Sequence, residues 1–177
     1  RIDRRKVGYG ISEGAHVRAF SLKPKPFGLS AQVEAFGERI GEISLKVPGV
    51  HNLRNALAAV AVGLELGVST THIASALASF EGIERRFEVK LDIPGLSVIE
   101  DYAHHPSEIR ATLMTLKAEF PDLQRRVVFQ PHRFSRTKRL LDRFKTCFTP
   151  ETDELILLPT YGAGEPYDGD GDSKRLY

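Results

Sequence analysis

A chain of 177 residues, 41% of them apolar, holds enough material for one domain with a sizeable core or for two small ones. A net charge of +2 gives no general attraction to nucleic acid or to a membrane surface, although basic residues cluster at Arg1–Lys6 and Arg125–Arg143. Cys147 is the single cysteine, which excludes an internal disulfide and a cysteine-built zinc site and fits a reducing, cytoplasmic setting. No apolar run approaches the roughly 18–20 residues of a membrane span. The ends, "RIDRRKVGYG" and "DGDGDSKRLY", lack an initiator Met and a natural stop, and read as cuts within a longer protein.

From about Val17 to Val47 short alternating runs, "VRAFSL", "AQVEAF" and "EISLKV", are punctuated by proline and glycine, which predicts antiparallel strands and hairpins. A helix follows. Leu53, Ala56, Leu57, Val60, Ala61 and Leu64 fall on one helical stripe, with Asn52 as the expected N-cap and Gly67 as the stop. A second short helix starts at Ser69–Thr71 and carries Ile73, Ala74, Leu77 and Ala78 on one side.

After Phe87 the rhythm changes to strand, helix, strand, helix, strand. "SVIED" reads as the first strand, with Pro106 suited to the first turn of the next helix. Ile109, Leu113, Leu116 and Phe120 stripe that helix. "RVVFQ" is a nearly continuous apolar run expected to be covered on both faces. Leu140, Leu141, Phe144 and Phe148 stripe one further helix, and "ELILLP" is the third strand. The alternation predicts an α/β chain whose second half is a doubly wound parallel sheet, with a boundary in "GIERRFE", residues 82–88.

Ligands of open parallel sheets sit beyond the carboxyl ends of the strands. The unusual stretches "DYAHHP", "QPHRFSRT" and "PTYGAGEPYDGDGDS" all fall at that edge, so they are expected to converge. Adjacent His104 and His105 cannot share a metal from an extended backbone; taken singly, each reads first as a helix cap or a solvated side chain. Asp101 ends a buried strand and must find donors, ribose hydroxyls being one kind. Arg133 and Arg136, with His132 beside them, form either a basic first turn or an anion site. A cation at a helix N-terminus opposes the dipole, which favours the anion site. Arg85 and Arg86 sit at the expected domain junction. Asn52 and Asn55 put two amides one turn apart at a helix start, where Asn52 is either a cap or a ligand contact; such amides suit an adenine edge. The acidic "YDGDGDS" lacks the glutamate that a calcium loop needs. No Walker-type or G-x-G-x-x-G phosphate loop is present.

Together "GVHNLRNALAAVAVG", "GIERRFE", "EDYAHHPSEI", "VVFQPHRFSRT" and "LPTYGAGE" resemble the Mur ligase family over nearly the whole chain after residue 7. The resemblance implies that residues 1–85 are the end of a central ATP-binding domain. Residues 86–177 are then the front of a Rossmann-like, amino-acid-binding domain whose sheet is incomplete. It implies an ATP-dependent amide-forming ligase working through an acyl phosphate, with ATP, UDP-N-acetylmuramate and L-alanine as substrates. The phosphate loop and Mg2+ ligands would lie upstream, and these residues alone would turn nothing over. By the same resemblance His51, Asn52 and Asn55 face adenine, Arg86 reaches the ATP phosphates, and Asp101 holds the ribose. Tyr102, His104 and His105 line the meeting point of the substrates. Arg133 and Arg136, with His132, clamp the alanine carboxylate or the tetrahedral intermediate. Ala103 stands where the pattern has Gly, and Gly162 where it usually has Ala. A sister branch that recycles murein tripeptide, and a non-catalytic nucleotide- or anion-binding module, are the alternatives.

Overall fold

In the computed structural model, which describes residues 5–149 and 151–177, the alternation of residues 17–45 becomes three antiparallel strands. Residues 1–4 of the first basic cluster lie outside the described residues. The chain divides into two compact units, Arg1–Glu84 and Arg85–Tyr177.

The first unit is a four-stranded sheet in the order β1 (Tyr9–Gly10), β2 (Val17–Lys25), β3 (Gly28–Ala35), β4 (Glu38–Leu45). The β3–β4 hairpin closes on Phe36 and Gly37, both at positive φ (53° and 87°), as a two-residue turn requires. Inward-facing Val17, Ala19, Ala31, Val33, Ile43 and Leu45 meet the stripe of α1 (Val50–Glu65), where Leu53, Leu57 and Val60 are fully buried. The alternation and the helical stripe thus describe the same core from two sides. Gly67 ends α1 as expected, at φ 75°, with its N–H on the Leu64 carbonyl and the Val68 N–H on that of Gly63. Asn52 is not the N-cap. The helix begins earlier, behind Gly49 at φ 94°, because "PG" already makes the turn there. In α2 (Thr70–Ser79) Ser69 caps the His72 N–H and Ile73 is buried.

The second unit opens with a hairpin the sequence rhythm did not reveal. β5 (Glu88–Ile93) pairs antiparallel with β6 (Leu96–Glu100) around Pro94-Gly95. "SVIED" was expected to join a parallel sheet, but β6 is hydrogen-bonded to β5 in a sheet of its own. Parallel pairing joins β7 (Arg126–Phe129) to β8 (Glu154–Leu157). Both α3 (Pro106–Glu119) and α5 (Leu141–Cys147) pack on that pair through Ile109, Leu113, Phe129, Phe144, Cys147 and Phe148. Among the described residues the other face is left open, with Val128 60% exposed. The helix expected after β7 is two, α4 (Phe134–Arg139) and α5, broken at Leu140 where ψ turns to 19°. No helix among the described residues is long and apolar enough to cross a membrane.

Candidate functional site

In the second unit the strand-end loops do converge. The loop after β7 is zipped to the loop after β8: the Tyr161 N–H donates to the Pro131 carbonyl (2.8 Å) and the Arg133 N–H to the Tyr161 carbonyl (2.7 Å). His132 and Tyr161 face each other in a parallel bridge. A row of rings then runs across the loops. Tyr102 lies 5.2 Å from His104, His104 lies 6.4 Å from His132, and His132 lies 5.3 Å from Tyr161. Tyr102 also stacks under the guanidiniums of Arg85 (4.9 Å) and Arg86 (5.9 Å). Residues from three loops far apart in sequence thus share one surface.

The row is held from behind by carboxylates. Glu108 accepts the N–H groups of His104 (3.0 Å) and His105 (3.1 Å), and His105 Nδ1 accepts the Ser107 N–H in a reciprocal capping box. Burial would raise the Glu108 pKa, but these donors, with the charges of His104 and Arg86, hold it below the usual glutamate range. His105 is therefore a helix cap. His104 is turned the other way, with Nδ1 2.9 Å from the Tyr102 carbonyl and its ring in the aromatic row.

Asp101 finds its donors in the backbone. One oxygen accepts the Phe87 N–H (3.0 Å), the other the Ala103 N–H (2.7 Å). The Tyr102 N–H donates to the Arg85 carbonyl at 2.6 Å. These bonds pin an arc in which Arg85 (φ 59°) and Phe87 (φ 48°) both take the left-handed conformation that residues with a Cβ avoid. Arg85 is tied down further, its Nε on Glu100 at 2.7 Å and its N–H on Glu88. Arg86, between the two strained residues, is exposed and forms no ion pair among the described residues.

Around His132 the positive charge accumulates. Burial, then Arg136, Arg133 and His104, lower its pKa and so favour the neutral ring. Its Nδ1 is buried without a hydrogen-bond partner among the described residues. Arg136 turns back to the His132 carbonyl (3.3 Å), whereas Arg133 is exposed with a backbone φ of 73°. The anion the sequence called for at the α4 N-terminus is in part internal: Glu165 accepts the Ser135 N–H (2.9 Å) and hydroxyl (2.6 Å). Those two donors and the Arg133 charge keep its carboxyl below the ordinary range. In "YDGDGDS", Asp168 and Asp170 pair with Lys138. Among the described residues no three His, Cys, Asp or Glu side chains group to hold a metal ion.

In the first unit Asn52 donates its amide to the Pro48 carbonyl (2.7 Å), which leaves its side-chain oxygen open. His51 is half-buried and Asn55, one turn on, is exposed. Glu108, Tyr161 and Glu165 were not singled out by the sequence. Glu three residues after the cap is a capping-box signal that could have found Glu108, whereas nothing local marks Glu165.

Comparison with known proteins supplies the remaining constraint. Residues 85–175 match the family model "Mur ligase, glutamate ligase domain", and residues 1–63 match "Mur ligase middle domain". The chain is 45% identical to a UDP-N-acetylmuramate--L-alanine ligase of Geobacter sulfurreducens, over 96% of its own length and 37% of the relative's. It is 48% identical to the protein of that name from Desulfosudis oleivorans, over 97% and 38%. Among solved structures, a UDP-N-acetylmuramate-alanine ligase from Thermotoga maritima superposes with a TM-score of 0.74 at 34% identity, over 89% of this chain and 35% of that one. The chain thus spans little more than a third of the length of these relatives.

Proposed function

The chain belongs to the Mur ligase family, and from that footing we propose that it is part of a cytoplasmic, ATP-dependent ligase joining L-alanine to UDP-N-acetylmuramate. In this reading residues 1–85 are the end of the ATP-binding domain and residues 86–177 the front of the amino-acid-binding domain, which also lends Arg86 and Asp101 to the nucleotide. Identity of 45–48% across nearly the whole chain to relatives bearing that name carries the choice of substrate. The convergent loops give it a physical basis.

ATP would supply the phosphoryl group that activates the muramyl carboxylate for attack by the alanine amine. What these residues contribute is positioning and charge, the main levers in such transfers. Arg86 forms no ion pair among the described residues, is displayed on a pinned arc, and suits a phosphate. Each Asp101 oxygen accepts one N–H and keeps a lone pair, so ribose hydroxyls can still be held. Asn52 and Asn55, with His51, offer amide and imidazole groups to adenine. Arg133, with Arg136 behind it, presents a planar fork to the alanine carboxylate. His132 lies beside that fork, and with Tyr102 and His104 it forms a row of mutually tilted rings along which the amine and the activated carboxyl can meet. His105, as the cap of α3, fixes where that row begins. Mg2+ is expected with the nucleotide, but the described residues form no cage for it, and no step is assigned to it.

The test is acceptor choice by the full-length protein. With UDP-N-acetylmuramate and ATP it should form one amide per ADP and phosphate released when given L-alanine. It should form none when given murein tripeptide. Use of tripeptide in place of alanine, or binding without turnover, would replace the reading.

A further inference from the structure

Glu165 stands apart from every role described so far, yet it ties the two loops of the amino-acid side together. Its own turn is demanding: Ala163 and Gly164 are consecutively left-handed (φ 49° and 85°), and the Glu165 N–H returns to the Gly162 carbonyl at 3.0 Å. That turn is seated on α4. A Cβ on Gly162 would stand 2.8 Å from the Phe134 ring, so the loop lies directly against the helix start. From there the carboxylate takes both donors of Ser135, while the Arg133 carbonyl takes the Thr137 N–H and hydroxyl. Arg133 is thus fixed from both sides of its strained φ.

We propose that Glu165 is a positioning residue that latches the loop after β8 onto α4 and so holds Arg133 ready for the amino-acid carboxylate, an inference that rests on the clamp reading above. The placement of its charge is the key observation. Neither Arg133 nor Arg136 forms an ion pair among the described residues. Glu165 is close enough for its charge to act on Arg133 and His132, but its oxygens bind Ser135. An acid paired directly with Arg133 would have to be displaced by an incoming carboxylate. Held on Ser135, Glu165 offsets part of the basic loop's self-repulsion and leaves the guanidinium fork open.

The experiment uses the full-length enzyme. Glu165→Ala should raise the KM for alanine about tenfold and leave that for ATP within about twofold, the scale of one lost charge-assisted contact. Glu165→Gln keeps an acceptor for the Ser135 N–H and should recover most of the loss, which a purely electrostatic effect would not. Amide hydrogen exchange at Ser135 should accelerate in Glu165→Ala. Unchanged alanine KM, an equal rise for both substrates, or unaltered exchange at Ser135 would overturn the proposal. Should Glu165→Ala fail to fold, Ser135→Ala must show the same selective rise in smaller degree. If Glu165→Ala does fold, the double variant must show no further rise over it; an additive rise would also overturn the latch. If the wild-type enzyme does not use alanine at all, the clamp reading fails, and exchange at Ser135 still decides whether the latch exists.

Discussion

The arc at residues 85–87 and the loop at residues 131–135 solve the same problem in different ways. Each displays an arginine at a strained stretch of backbone, Arg86 between Arg85 and Phe87 at positive φ and Arg133 at positive φ itself, and each is pinned by a carboxylate from a neighbouring loop that binds backbone N–H instead of the displayed arginine. In the arc the work is split. Arg85 is tied to Glu100 and stacked on Tyr102, and Arg86 alone is left for a ligand. In the loop Arg136 supports the His132 carbonyl, Arg133 projects, and the acid arrives from a separate strand end, so this arrangement exists only when two loops are docked. The arc is local and should survive disturbance of the sheet edge; the loop should not.

Variants can break that comparison in order of size. Asp101→Ala removes the acceptor of two N–H groups at once and should destabilise the second unit by roughly 2–4 kcal/mol. Thermal unfolding measures this, and an effect below about 1 kcal/mol would mean the arc holds itself. Glu108→Ala removes the anchor of the His104–His105 turn and should cost about 1 kcal/mol, as a lost cap does. Because the Glu108 pKa is lowered in the fold, its contribution is present above the unfolded glutamate range and fades as pH falls through the lower folded value. The Glu108→Ala deficit should therefore be undiminished at pH 6 and shrink on acidification below about pH 4. Gly162→Ala pushes a methyl toward Phe134 and should cost about 1 kcal/mol or more, depending on how far the ring can yield.

The smallest effect is a titration. His132 should titrate below the ordinary histidine range by NMR and move upward in Arg136→Ala, because burial is the first cause of its lowering and the arginine the second. The folded state favours the neutral ring, so protonation opposes stability as pH falls below the unfolded value.

Much of this was legible in the sequence because periodicity reports burial. The α1 stripe and the strands of residues 17–45 follow directly from which residues must face a core. The clustering of polar stretches at strand ends was legible too, since topology places them there. The β5–β6 hairpin was not. Its residues Val89, Leu91, Ile93, Leu96 and Val98 alternate, but their apolar side chains are 40–50% exposed, so no buried face marks the pairing. The break at Leu140 was hidden because apolar positions continue across it. Asn52 was misplaced because a good capping side chain lost to a glycine turn three residues earlier. Arg133, Glu165 and Asp101 carry backbone conformations and loop-to-loop bonds that only coordinates reveal.

Arg86 and Arg133 form no ion pair among the described residues, and in the proposed function they await two different ligands. Steady-state kinetics of the full-length enzyme with Arg86→Ala and Arg133→Ala, each varied in ATP and in alanine, addresses this directly. Arg86→Ala should raise the KM for ATP about tenfold or more with little change for alanine, and Arg133→Ala should do the reverse. Equal effects of either variant on both substrates, or the opposite pairing, would contradict it.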